Sequence, residues 1–111
     1  VIAQNQTMIA CGQLRMFPEA QELGSLVVSA TYRGQGLGTL LAQHLIQMAA
    51  QPLYLECLGM RLCQFYSRLG FKSVSWTELP RSLQLKFGLS SVAKTVLRVP
   101  VQFMHYQGRH L

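Results

Sequence analysis

Aspartate is absent from the sequence, and the acids are four glutamates, Glu19, Glu22, Glu56 and Glu78. Ten Lys and Arg outweigh them, leaving a formal charge of +6. Such a balance suits a polyanionic partner: nucleic acid, an anionic membrane surface or a phosphate-rich cofactor. The basic residues are scattered and do not interleave with aromatics along one strand, which argues against a nucleic-acid interface. No apolar run approaches the roughly 20 residues needed to span a bilayer, so no transmembrane helix and no membrane partner are expected. Cys11, Cys57 and Cys63 are odd in number and lack CxxC spacing. This argues against a disulfide framework or a structural zinc site and fits a reducing cytoplasm. No basic-then-apolar leader with a small-residue cleavage site opens the chain, and residue 1 is Val rather than Met. The expectation is therefore a truncated or processed chain.

Half of the 111 residues are hydrophobic, enough for a compact core and too many for intrinsic disorder. Repeats, low-complexity tracts and linkers are missing, so one domain over residues 1–111 is expected. Val1–Ala3 and Met8–Phe17 read as strands joined by a short turn, and Pro18–Gln21 breaks the pattern. Leu23–Val28 reads as a third strand, its run Leu26, Val27 and Val28 implying burial on both faces. In Thr39–Ala50, the spacing of Leu40, Leu41, His44, Leu45 and Met48 predicts one apolar helix face, with His44 packed in the core. Leu53–Leu58 is expected as a buried strand, Met60–Leu69 as a helix capped by Gly70, and Phe71–Trp76 as a short strand. Pro80–Val96 is helical in places but interrupted by Gly88-Leu89-Ser90-Ser91, and Leu97–Tyr106 closes the chain as a long strand. The strand–helix alternation at the centre implies parallel pairing there, with antiparallel hairpins at the edges.

Between the third strand and the first helix lies Thr31-Tyr32-Arg33-Gly34-Gln35-Gly36-Leu37-Gly38. A glycine-rich turn opening a helix can receive phosphate, because free backbone N–H groups and the helix dipole meet there and no Cβ blocks the approach. The turn lacks the Gly-Lys-Ser/Thr ending of a Walker A loop, and its GxGxG spacing is not the dinucleotide fingerprint GxGxxG. Val28 through Gly38 resembles motif A of the GNAT superfamily of N-acetyltransferases, with Arg33, Gly36 and Gly38 filling its Arg/Gln-x-x-Gly-x-Gly/Ala pattern. Phe65-Tyr66-Ser67-Arg68-Leu69-Gly70-Phe71 resembles the family's Phe-Tyr-x-x-Leu-Gly-Phe segment. The resemblance covers residues 1–74 well and the remainder in outline.

This resemblance implies an α/β (α+β) fold with a mixed, strongly bent sheet flanked by helices. The strand at Leu23–Val28 would part from that at Leu53–Leu58 to admit a pantetheine arm. It also implies acetyl-CoA as co-substrate and a small-molecule or peptide amine as acceptor, with a homodimer as one familiar assembly. Leu26, Val27 and Val28 would offer backbone to the pantetheine. Arg33 and the amides of Gly34, Gln35, Gly36, Leu37, Gly38 and Thr39 would hold the pyrophosphate. Attack on the thioester needs a neutral amine, yet an alkyl amine has a pKa of about 10 and is mostly ammonium at neutral pH. A base must take that proton, and an acid can protonate the leaving thiolate. Tyr66 matches the family tyrosine commonly assigned as the acid, with core packing as its plainer role. Glu22, Glu56 or water remain open as the base. Registration with motif A favours Glu22, while strand alternation sets Glu56 on the face opposite Leu55 and Cys57.

Several departures bear on function. Gly59 stands seven residues before Tyr66, where relatives often carry an Asn that bonds pantetheine, and Ala30 stands where Pro is usual. The segment between Glu56 and the tyrosine helix is shorter by about two residues, and the family's first strand and two acceptor-walling helices are not found before Val1. A non-catalytic acyl-CoA-binding or sensing module is the alternative that these departures support. No metal site is expected, because His105 and His110 lack partners at useful spacing. Cys57 and Cys63 read as small buried hydrophobes, while Trp76 and Phe87 read as pocket-lining or packing aromatics.

Overall fold

The computed structural model describes residues 1–96 and 101–108. The strands are β1 (Ile2–Gln4), β2 (Thr7–Phe17), β3 (Ala20–Val28), β4 (Leu53–Leu58), β5 (Phe71–Val74) and β6 (Val101–Tyr106). The helices are α1 (Leu37–Met48), α2 (Met60–Leu69) and α3 (Arg81–Val96), with single 3-10 turns at Ala30–Tyr32 and Trp76–Glu78. Together the strands form one mixed sheet in the order β1-β2-β3-β4-β6-β5. β3 and β4 are parallel at its centre, and the other pairings are antiparallel.

Turn chemistry sets the first two hairpins. Asn5 and Gln6, at φ 50° and 66°, supply the two left-handed residues of a tight β1–β2 connection. Pro18 fixes the first central position of the β2–β3 turn, and Glu19 takes φ 61° at the second. The break expected over Pro18–Gln21 therefore contracts to two residues, and Ala20 and Gln21 already lie buried in β3. Gln21 is satisfied there: its Oε1 accepts from the Ala50 and Gln51 N–H groups at 2.7 and 2.8 Å, closing the end of α1 onto the sheet.

Alternation along the strands separates two cores. Leu23, Leu55, Cys57 and Met104 face α1 and α2, whereas Ala20, Tyr54 and Phe103 pack with Leu83 and Phe87 of α3. The buried stripe of α1 is Leu41, Ala42 and Leu45, while Leu40, His44 and Met48 are exposed. Two overlapping stripes both fit spacings of 3 and 4, and contact with the sheet selects the one starting at Gly38. His44 is thus a surface residue, not a core histidine.

α3 runs unbroken through Gly88. A Cβ there would lie 3.2 Å from the Trp76 indole, so the glycine permits close packing rather than ending the helix. β5 stops at Val74, where a Ser75–Glu78 capping box turns the chain and places Trp76 in the following 3-10 turn. The expected start of the last strand, residues 97–100, lies outside the described residues.

Candidate active site

β3 and β4 pair only at Gln21↔Leu53 and Glu22↔Tyr54, although the strands continue to Val28 and Leu58. Beyond Glu22 the sheet is split. A bulge in β3 accompanies the split: Gly24 to Val27 faces only Gln13 to Cys11, and Ser25 takes φ 54°. The extra residue turns Leu26 and Val28 toward α1 and α2, where both pack at the core edge. Val27 is 53% exposed, so the run Leu26–Val28 is not buried on both faces. The missing neighbour is β4, whose departure opens the cleft.

The first side of this cleft is the glycine turn. Gly34 and Gly36 adopt φ 82° and 78°, with no atom within 4 Å of where a Cβ would stand. Gly36 caps α1 without a side-chain bond, and Leu40 N–H is bonded back to its carbonyl at 3.0 Å. The N–H groups of Leu37, Gly38 and Thr39 therefore have no intrahelical acceptor and face a cavity of about 240 Å³. Arg33 Nε donates to the Val28 carbonyl at 3.1 Å and ties the turn to β3. Gln35 is exposed and contributes no side chain to the cavity wall.

That cavity shares Val28, Gly38 and Phe65 with a cleft of about 640 Å³, walled further by Leu26, Val27 and Leu62. Arg61 and Arg68 of α2 line the same cleft. Open amides, a helix dipole and three arginines beside an apolar channel fit a polyphosphate with an apolar arm, as in CoA. The sequence reading did not single out Arg61 and Arg68. Their spacing around Phe65, i−4 and i+3, was the available signal.

On the α3 face the split opens a second cavity, of about 220 Å³, that brings Glu22 and Glu56 together with Arg15, Ser25 and Lys86. Glu22 is 5% exposed, and its Oε1 accepts from Arg15 Nη1 at 3.2 Å and from the Lys86 ammonium. Arg15 also donates to Ser25 Oγ at 2.7 Å. A Cβ on Gly24 would lie 2.0 Å from Arg15 Nη1, so this glycine lets the guanidinium cross the strand. The first carboxylate singled out from sequence is thus committed to two cations, and Glu56 shares its cavity.

Tyr66 lies in the core on the α1/α2 side, edge-on to Phe65 at 5.1 Å and Phe71 at 5.6 Å. Burial, with a smaller contribution from Cys57, pushes its pKa up to about 12. Tyr66 lines neither cavity, whereas its neighbour Phe65 lines both of those on the cofactor side. Cys57 and Cys63 are buried, and burial raises the Cys57 thiol to about 12. His105 stacks on Tyr54 at 4.4 Å, and burial lowers its pKa. Phe87 borders the cavity with the two glutamates, while Trp76 stacks edge-on to Phe103 at 5.7 Å. Among the described residues no three His, Cys, Asp or Glu side chains are grouped to hold a metal, and no helix is long and apolar enough to cross a membrane. Gly59 holds φ 86° and ψ 156°, a region essentially restricted to glycine, which explains why no Asn stands there.

A central parallel pair that parts beside a glycine turn, flanked by helices on both faces, is the acyl-CoA N-acyltransferase fold. Residues 1–71 match the model of the acetyltransferase (GNAT) family, and the chain belongs to that family. Its structure is similar to N-acetylglutamate synthase from Neisseria gonorrhoeae, solved with coenzyme A and N-acetyl-glutamate (TM-score 0.75, 19% identity, 96% of this chain and 24% of that one). It is also similar to the ribosomal-protein-S18-alanine N-acetyltransferase from Escherichia coli (TM-score 0.67, 21% identity, 98% and 67%). An acyl-CoA N-acyltransferase from Pseudomonas aeruginosa gives TM-score 0.65 at 24% identity, covering 94% and 64%. At these identities the likeness is one of fold, and the chain spans only about a quarter of the synthase. No curated protein sequence matches the chain.

Proposed function

We propose that the chain transfers the acetyl group of acetyl-CoA directly to a primary amine of a small molecule or peptide. The observation that carries this reading is the β3–β4 split. Leu26–Val28 line the cofactor cleft, and the segment just before them, Leu23–Ser25, lines the cavity holding Glu22 and Glu56. One strand thus joins a place for the donor to a place for the acceptor. Bound acetyl-CoA supplies an acetyl group activated as a thioester. The amides of Gly34 through Thr39 bind its pyrophosphate, with Arg33, Arg61 and Arg68 adding charge, and the backbone of Leu26, Val27 and Val28 orients its pantetheine.

Glu56, which lines the cavity at the split, takes the proton from the incoming ammonium. Glu22 is the counter-ion that fixes Arg15 and Lys86. The match of Phe65 through Phe71 to the family segment makes Tyr66 the proposed proton donor to the leaving thiolate; a pKa near 12 keeps its phenol protonated at neutral pH, and its ring, packed in the core, lines neither cavity on the cofactor side. A reducing cytoplasm belongs to the same reading, supported by cysteines that are all free thiols. Amine-dependent thiol release from acetyl-CoA tests the proposal. Glu56→Gln is expected to slow it by about 100-fold or more, the usual contribution of a general base. Tight acetyl-CoA binding without turnover across a broad amine panel would replace the enzyme with an acyl-CoA-binding module.

A further inference from the structure

We infer that Arg15 is a positioning residue for the cofactor strand: its guanidinium bridges Glu22 and Ser25 and holds β3 in the bulged form that presents Leu26–Val28 to the cleft. This rests on the placement of acetyl-CoA proposed above. Arg15 stands opposite Glu22 in the β2–β3 register, and its Nη1 donates to Glu22 Oε1 at 3.2 Å, ahead of the bulge. Its Nη2 donates to Ser25 Oγ at 2.7 Å, inside the bulge. The bridge crosses Gly24, where an added Cβ would lie 2.9 Å from Arg15 Cζ. A planar guanidinium can hold two acceptors in a fixed fork, whereas a lysine ammonium offers a point charge.

The second contact belongs to the bulged strand alone. In a regular strand residues 22 and 24 share one face and residue 25 takes the other. Here Ser25 adopts φ 54°, and its hydroxyl meets the same guanidinium as Glu22, in the cavity that all three line. A left-handed φ is unfavourable for serine, and a bond made only in that conformation offsets the cost. The bulge in turn decides the face of the residues that follow. Leu26 and Val28 pack toward α1 and α2 and border the cofactor cleft, whereas a regular strand would turn them to the α3 face. Neither Arg15 nor Ser25 lines a cavity on the cofactor side, so their effect on CoA runs through the backbone.

The test is calorimetry of acetyl-CoA binding without amine, with thermal melts and amine-dependent thiol release on the same samples. Ser25→Gly relieves φ 54° and removes the acceptor. Its melting temperature should hold or rise while acetyl-CoA affinity falls about tenfold or more, opposite signs that a merely structural role would not give. Arg15→Lys keeps a charge beside Glu22 but loses the fork, and affinity should fall alike. The double variant should bind no worse than the weaker single variant, because both remove one contact. Gly24→Ala keeps both partners and displaces the guanidinium; it should show the same loss, and it replaces Arg15→Lys if that chain does not fold. Wild-type affinity in Ser25→Gly, a lowered melting temperature in that variant, or losses that multiply in the double variant would overturn the inference. Unchanged affinity in the variants of a chain that releases thiol sinks this inference and leaves acetyl transfer standing. The expected losses in a chain that binds acetyl-CoA without turnover do the reverse, and a wild-type chain that binds no acetyl-CoA overturns both.

Discussion

Substitution of Gly38 separates cofactor binding from folding. An added Cβ at Gly38 would stand 3.6 Å from Val28 Cγ2 and 3.9 Å from Phe65 Cζ, both ordinary contacts, and no positive φ is needed at this position. The fold should therefore accept the methyl group. Replacing a helical glycine by alanine should even stabilise it by about 0.5–1 kcal/mol. The motif pattern admits Ala at this position, so CoA affinity should stay near the wild-type value in Gly38→Ala. Gly38→Leu carries a longer side chain from the same Cβ into the junction of the two cofactor cavities, where Val28 and Phe65 line both. Losing one charge-assisted hydrogen bond costs about 1.5–3 kcal/mol, equivalent to about 10- to 150-fold weaker CoA binding. Isothermal calorimetry of CoA binding and a thermal melt of the same sample read both quantities for each variant. Expected are a raised or unchanged melting temperature with retained affinity for Gly38→Ala, and an affinity at least tenfold lower for a folded Gly38→Leu chain. Wild-type affinity in a folded Gly38→Leu chain would refute the placement of phosphate at this turn.

Tyr66→Phe should lower turnover more than acetyl-CoA affinity, since the ring stays and only the proton donor goes. It should also alter alkaline stability. The folded pKa near 12 exceeds the unfolded value of 10.0, so the tyrosine's contribution is intact below pH 10 and lost as pH rises toward 12. That loss amounts to about 3 kcal/mol, and urea melts from pH 9 to 12 should show a shallower decline in the Phe variant. Gly70→Ala should destabilise by about 2 kcal/mol or more, because φ is 110° and the added Cβ would lie 2.9–3.0 Å from Tyr106 and the Gly108 backbone. An unchanged melting temperature would contradict it. Glu19→Gly should stabilise by up to about 1 kcal/mol by relieving φ 61° in the β2–β3 turn, and a lower melting temperature would show that Glu19 is not strained.

Local signals carried much of this architecture. Leu53–Leu58 and Met60–Leu69 were legible at their observed bounds because the strand run and the helix period end at Gly59 and Gly70. The glycine turn and Tyr66 were legible because their motifs lie within short segments. Properties set by tertiary contact were not. The rotation of α1 is chosen by its packing, and the continuity of α3 through Gly88 depends on Trp76, twelve residues earlier in sequence. Arg15 reaches Glu22 because β2 and β3 pair in that register, and Lys86 reaches it from a helix that local pattern left ambiguous. Glu22 was therefore legible as a candidate carboxylate, while its two cations were not. The exposure of Val27 likewise follows from a strand split that no run of apolar residues announces.

A crystal structure of the chain with CoA tests the central claim most directly. The account predicts the pyrophosphate on the amides of Gly34 through Thr39, the pantetheine along Leu26–Val28, and the thiol at the split between β3 and β4, facing the cavity that holds Glu56. A CoA whose pyrophosphate lies away from α1, or whose thiol lies outside the split, would contradict it.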